Sequence, residues 1–236
     1  MLDPVIIEKI DRYWASDFGC SLDEYSCKYH IQKHAGQLAL ENNSGIYCLT
    51  RSDSTIISIP SEWFDNVQQL LPSSPFELAN KLRSRASAII GPAYIGYSQR
   101  ELVSVNGAKA IDKQYHDEWL DLRKCCSQLE WDHGGSDLSQ VCSGVFCGDQ
   151  LVALAGYKVW GEIIAHISII THPEFRGQGH ARKAVVHLMN RAISNELIPQ
   201  YQTLEANTSS IQVASALGFT RYASSIAIKL LKANAK

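Results

Sequence analysis

Residues Thr171-His172-Pro173-Glu174-Phe175-Arg176-Gly177-Gln178-Gly179-His180-Ala181-Arg182 join an apolar strand to the most regular helix in the sequence. Upstream, Ile163 to Thr171 is apolar on both alternating faces, as a central strand must be. Pro173 ends that strand, because the residue before a proline stays extended and proline itself cannot donate to a ladder. Downstream, Ala181, Ala184, Val185, Leu188, Met189, Ala192 and Ile193 fall at offsets 0, 3, 4, 7, 8, 11 and 12, a single apolar stripe at helical period. The order of strand, short loop, glycine turn and helix suits an anion. A helix N-terminus leaves about four backbone N–H groups without intrahelical partners, and the macrodipole adds roughly half a positive charge there. Gly177 and Gly179 lack Cβ, so the backbone can take left-handed angles and approach a ligand closely. Arg176 and Arg182 add permanent charge, and a diphosphate fits such a nest.

A dinucleotide-binding turn is the first competitor, since Gly177-Gln178-Gly179 opens like G-x-G-x-x-G. Arg182 stands where the third glycine belongs. Residues His172 to Arg176 also separate strand from first glycine, where a dinucleotide turn starts at once. The remaining competitor is a glycine turn that merely enters a helix.

Around this centre the chain reads as α/β, in two parts. From about Glu101 to the end, 101–236, the reading is a helix at Asp117 to Leu129, strands at Val141 to Phe146 and Leu151 to Val159 joined by Gly148-Asp149-Gln150, then the central strand and helix. Tyr201 to Ala206 follows as a strand, Ser209 to Leu217 as a helix stopped by Gly218, and Tyr222 to Leu231 as a last strand. Residues 1–100 form a smaller α/β domain. Asp11 to Phe18 and Asp23 to His34 read as helical. Gly45 to Thr50 and Thr55 to Ile59 form a hairpin across Arg51-Ser52-Asp53-Ser54. Helices begin at Ser61, ending at Pro72, and at Ser74-Pro75 (Phe76 to Ala86), before an apolar run, Ile89 to Tyr97, broken at Gly91-Pro92. This part carries no catalytic motif.

A second segment gives the loop a specific meaning. Arg176-x-x-Gly179-x-Ala181 resembles the Q/R-x-x-G-x-G/A acyl-CoA loop of the GNAT superfamily of N-acetyltransferases. Asn207-Thr208-Ser209-Ser210, then Ala214, then Leu217-Gly218-Phe219 resembles the N-x-x-S-x-x-x-A-x-x-L-G-F stretch of its next strand and helix. The resemblance covers roughly Glu101 to Leu231. More narrowly, Thr171 to Gly177 and Thr203-Leu204-Glu205-Ala206-Asn207 resemble a bacterial branch with an extra N-terminal domain. The resemblance implies a mixed, mostly antiparallel GNAT-like sheet flanked by helices, with acetyl-CoA as acyl donor. It implies that Arg176, Gly177, Gln178, Gly179, His180, Ala181 and Arg182 hold the pyrophosphate. Main chain of Ile169, Ile170 and Thr171 would pair with pantetheine in the slot where this strand splays from the next. Asn207 would meet the pantetheine arm with Ser210 nearby; capping a helix suits Asn207 equally.

Two positions depart from the family pattern. Its usual glutamate on the strand before the loop is Ala165 here, and its usual tyrosine acid is Ala214. His166 is the leading substitute base, as the titratable group on the face shared with Ile164, Ser168 and Ile170; a hydrogen-bonded core histidine is the competing role. Glu130, read in a loop before the first hairpin, is second, and Tyr222 is a candidate acid. Three functions follow: direct acetyl transfer from acetyl-CoA to a small-molecule or peptide amine, non-catalytic acyl-CoA binding in a regulatory or scaffold role, or nucleotide or phosphate binding unrelated to CoA.

Composition bounds the rest. The 236 residues are 45% apolar and 19% charged with net charge −2, ordinary for a globular protein and unlike a nucleic-acid binder that relies on a basic surface. No apolar run approaches the ~18 residues that span a bilayer, and Asp3, Pro4 and Glu8 interrupt the N-terminal apolar stretch, against a secretory signal. Seven cysteines, an odd number, suit reduced thiols in a cytoplasm. Cys125, Cys126, His133, Cys142 and Cys147 lack zinc-site spacing, so no metal is expected. A homodimer is compatible with everything read here.

Overall fold

The computed structural model describes residues 2–33, 45–52, 54–70, 74–103 and 106–231. In chain order the first elements are α1 (Pro4–Phe18), α2 (Leu22–Ser26), β1 (Tyr29–Lys33), β2 (Gly45–Thr50), β3 (Thr55–Ile59), α3 (Phe64–Leu70), α4 (Pro75–Lys81) and β4 (Ala86–Tyr97). They are followed by β5 (Ala108–Ile111), α5 (His116–Cys125), α6 (Gln128–Gly134), β6 (Val141–Cys147), β7 (Gln150–Trp160) and β8 (Ile164–Thr171). Last come α7 (His180–Ser194), β9 (Ile198–Leu204), α8 (Thr208–Ala216) and β10 (Thr220–Leu230).

The chain divides into two compact units. One comprises the described residues of Met1–Leu2, Tyr97–Gln202 and Gln212–Thr220; the other comprises those of Asp3–Gly96, Thr203–Ile211 and Arg221–Lys236. The break near residue 97 lies close to the expected boundary at 100. The division differs at the C-terminus: β10, expected in the second part, pairs with β2 over Ser224↔Thr50 to Lys229↔Gly45 and so belongs with the N-terminal elements.

In the unit holding the glycine loop, the strand order is β9-β8-β7-β6-β5. The β5–β6, β6–β7 and β7–β8 pairs are antiparallel and β8–β9 is parallel. Apolar helices cover both faces. Trp119 and Leu122 of α5 and Trp131 of α6 pack with Ile111, Cys142, Leu151, Leu154 and Ile170, the two tryptophans edge to face at 5.5 Å. The stripe of α7 buries Ala184, Val185, Leu188, Met189 and Ala192. His187 and Arg191 of that helix reach Ser143 of β6, the neighbour of Cys142 on the opposite face.

In the other unit the order is β1-β3-β2-β10-β4. Successive residues of β2 alternate between two layers. Ile46 and Cys48 join Val67, Leu78 and Leu82 from α3, α4 and their flank, while Tyr47 meets Trp14 and Phe18 of α1.

Three local readings change. Asp23 to His34 is not one helix: α2 stops after five residues and Tyr29–Lys33 is a strand pairing in parallel with β3 from Tyr29↔Thr55 to Lys33↔Ile59. That long-range ladder outweighs local helix propensity. Phe76 to Ala86 ends as helix at Lys81, and β4 begins at Ala86. Asp117 to Leu129 is two helices, because Ser127 caps a new one: its hydroxyl accepts the Glu130 N–H while the Glu130 carboxylate accepts the Ser127 N–H. Pro72, His34 and Asp53, which entered the sequence reading, lie outside the described residues. All seven cysteines are free thiols.

Candidate functional site

The glycine loop is anchored at both ends. At its start, the His172 N–H donates to Val152 O (2.8 Å), extending the β7–β8 ladder by one residue, and His172 Nδ1 accepts the Glu174 N–H (3.3 Å). At its end, the first bond of α7 runs from Lys183 N to Gly179 O (3.3 Å). The amides of His180, Ala181 and Arg182 precede that bond and so have no carbonyl within the helix. Gly177 and Gly179 take φ of 76° and 80°, in the left-handed region. A Cβ built on either would meet no described protein atom within 4 Å. The turn is therefore left-handed and open, with consecutive amides around it, which fits a diphosphate.

The side chains of the loop have their own roles. Arg176 is committed to the protein: its Nε donates to Thr171 O (3.2 Å) and its Nη2 to Glu130 Oε1 (2.7 Å). Gln178 Nε2 donates to Glu174 O (3.3 Å). His180 turns inward, with Nε2 3.8 Å from Cys147 Sγ and its ring edge-on to Phe175. It therefore offers its backbone N–H to the nest. Arg182 is exposed and supplies positive charge at the loop.

Beside the loop β8 loses one neighbour. The β8–β9 ladder ends at Ile167↔Tyr201, whereas β7–β8 continues to Ala153↔Thr171. The edge of β8 after Ile167 therefore faces away from β7 without a β9 ladder, which is where the expected slot would lie. Because His172 N–H points to β7 and successive residues alternate, Ile170 also turns its amide and carbonyl to β7. This corrects the expectation that Ile170 offers main chain to pantetheine; its side chain lies in the α5–α6 core instead. Ile169 and Thr171 turn theirs to the slot side. The C-terminus of α6 closes on the same edge: a Cβ on Gly134 would sit 2.5 Å from Ile169 O.

The three proton-transfer candidates stand in different surroundings. His166 is half-buried on β8, its ring stacked on Trp160 at 4.0 Å and 9°. Its Nδ1 lies 2.6 Å from Gln200 Oε1, and Gln200 Nε2 donates to Tyr97 Oη, also at 2.6 Å. Glu130 is not in a loop but in the first turn of α6. The Ser127 backbone N–H, the Ser127 hydroxyl and Arg176 hold its carboxyl at about 2, too weak a base to take a proton from an amine at neutral pH. Its place is to orient Arg176. Tyr222 belongs to the other unit, where its hydroxyl donates to Asp11 Oδ1 (2.7 Å) and lies 2.6 Å from Tyr25 Oη. Burial, then Tyr25, pushes its phenol up, so it holds its proton. Ala165 and Ala214 are fully buried.

Asn207 caps α8: its Oδ1 accepts the Ser210 N–H (3.1 Å) and the Ser209 hydroxyl (2.9 Å). Sequence reasoning missed Ser127, Trp160, Tyr97 and Gln200. Ser127-x-x-Glu130 was legible as a capping box; Trp160 and Gln200 meet His166, and Tyr97 meets Gln200, only through sheet pairing or folding.

Among the described residues, no group of three or more His, Cys, Asp or Glu could hold a metal, and no helix is long and apolar enough to cross a membrane.

A family model described as GNAT acetyltransferase matches residues 143–224, which contain both the loop and the Asn207 to Phe219 segment. Among solved structures, a GCN5-related N-acetyltransferase-like protein from Streptococcus suis is similar at 13% identity, with a TM-score of 0.53 over 95% of this chain and 100% of that one. A putative GNAT-family acetyltransferase from Novosphingobium aromaticivorans is 21% identical with a TM-score of 0.51, over 61% of this chain and only 66% of that one. None of the curated proteins matches the sequence. Residues 143–224 thus resemble the GNAT acetyltransferase family, and the two solved structures share the fold.

Proposed function

We propose that the chain moves an acetyl group from acetyl-CoA to the amine of a small molecule or peptide by direct transfer. The observation that carries this reading is the open left-handed turn at the N-terminus of α7, set beside a β8 end that has lost its β9 partner. The amides of Gly177 to Arg182 would hold the pyrophosphate, and the main chain of Ile169 and Thr171 the pantetheine arm. When bound, acetyl-CoA supplies the acetyl group as a thioester. The Ile169 N–H, on the slot side of β8, is a donor for negative charge developing on an acyl oxygen. His166 takes the proton of the amine. With Nδ1 committed to Gln200, Nε2 is its basic nitrogen. An alkyl ammonium has a pKa around 10 and histidine about 6.5, so His166 acts on the amine as charge develops or through a water.

A second reading, non-catalytic acyl-CoA binding, is favoured by Ala165 and Ala214, where the family's usual acid and base are replaced by buried methyl groups. Thiol release from acetyl-CoA against a panel of amines decides between them. Amine-dependent release that falls in His166→Gln is expected. Tight CoA binding with no release on any amine would sustain the second reading and defeat the first.

A further inference from the structure

We propose that Gln200 is a positioning residue that sets the tautomer of His166, with Tyr97 bracing the far end of its amide. The inference rests on the reading of His166 as the base. Gln200 is fully buried and stands beside His166 in the parallel β8–β9 ladder. Its amide has two ends with opposite hydrogen-bonding character. As placed, Nε2 donates to Tyr97 Oη at 2.6 Å and Oε1 faces His166 Nδ1, also at 2.6 Å; a phenol both donates and accepts, so Tyr97 suits this orientation without imposing it. A carbonyl oxygen only accepts, so Nδ1 carries the ring hydrogen and Nε2 carries the lone pair. Trp160, stacked on the ring at 4.0 Å, fixes the imidazole plane, while the Gln200 bond fixes its rotation within that plane.

The neutrality of Gln200 matters as much as its geometry. A carboxylate in that place would stabilise the imidazolium and leave the base protonated at working pH. An amide orients the ring without adding charge. It also conducts no proton without tautomerising, so Tyr97 and Gln200 form a brace, and the proton taken at Nε2 does not leave through them. Around His166, Lys158 is its register partner on β7, Trp160 stacks on it, and Gln200 meets it from β9.

The test uses the full-length protein. Nitrogen NMR of the imidazole, assigned by the signal lost in His166→Gln, should show a neutral His166 protonated at Nδ1. In Gln200→Glu the acid limb of the pH profile for acetyl transfer should move up by about one to three pH units, as for an opposite charge at contact distance. In Gln200→Leu, kcat should fall about 10- to 100-fold, the usual scale for losing an orienting partner, with KM for acetyl-CoA unchanged. Tyr97→Phe, which removes only the brace on the far end of the amide, should give a smaller fall in kcat. An Nε2-protonated His166 in the wild type, or an unmoved acid limb in Gln200→Glu, overturns the role of Gln200. Full turnover in His166→Gln overturns the base assignment and this role with it. The two failures are distinct, because the tautomer is read without any turnover.

Discussion

Replacing Gly179 by alanine separates the loop's backbone requirement from its packing. Gly179 has φ of 80° and ψ of 5°, and a Cβ there would meet nothing described within 4 Å. The substitution creates no clash, so its effect on the free protein is the backbone strain alone, about 1–2 kcal/mol for an L-residue held in the left-handed region. For a chain of this size 1 kcal/mol lowers Tm by roughly 2–4 °C. The effect on ligand is separate. Relief of strain rotates the amides around the turn, and a charge-assisted hydrogen bond contributes about 1.5–3 kcal/mol. Loss of one such bond corresponds to about a 10- to 100-fold rise in Kd for CoA. Gly218 supplies the control: it also has φ near 80° (79°) and open space at its Cβ, but it stops α8 outside the loop. Urea unfolding of the two alanine variants should show similar losses, while calorimetric titration with CoA should weaken only in Gly179→Ala. Equal CoA affinity in Gly179→Ala and wild type, or equal weakening in both variants, would refute the assignment of these amides to the pyrophosphate.

Three further outcomes are expected. The carboxyl of Glu130 is held at about 2 in the fold against an ordinary 4.5, so its contribution is present above pH about 4.5 and is lost as pH falls toward 2; acid titration of stability should be shallower over that window in Glu130→Gln than in wild type. Ser127→Ala removes the cap of α6 and should lower stability by about 1 kcal/mol in denaturant unfolding. Trp131→Ala empties the contact with Trp119 beneath α6 and should reduce stability by about 3–5 kcal/mol, read as a lower urea midpoint.

What the sequence made legible was local. The α7 stripe, the left-handed glycines and the hairpin of β2 and β3 each rest on residues a few positions apart, and each appears in the structure where its periodicity or turn chemistry puts it. The strand at Tyr29–Lys33 was hidden because its partner β3 begins 26 positions on, at Thr55 against Tyr29, and its own residues also suit a helix. The assignment of β10 to the N-terminal elements was hidden for the same reason. In the site, the loop was readable as a motif, but the side-chain commitments were not. Arg176 reads as a free cation until Glu130 is seen 2.7 Å away. Glu130 reads as a base until its capping bonds appear. Gln200 is an unremarked polar residue in a strand until β9 lies against β8, which places its carbonyl oxygen on His166.

The most direct test of the central claim is hydrogen exchange of the wild-type protein with and without acetyl-CoA. The account predicts slowed exchange at the amides of Gly177 to Arg182 and of Ile169 and Thr171, with no such change on adding NAD. Unchanged exchange across 177–182 at saturating acetyl-CoA, or protection there by NAD alone, would contradict it.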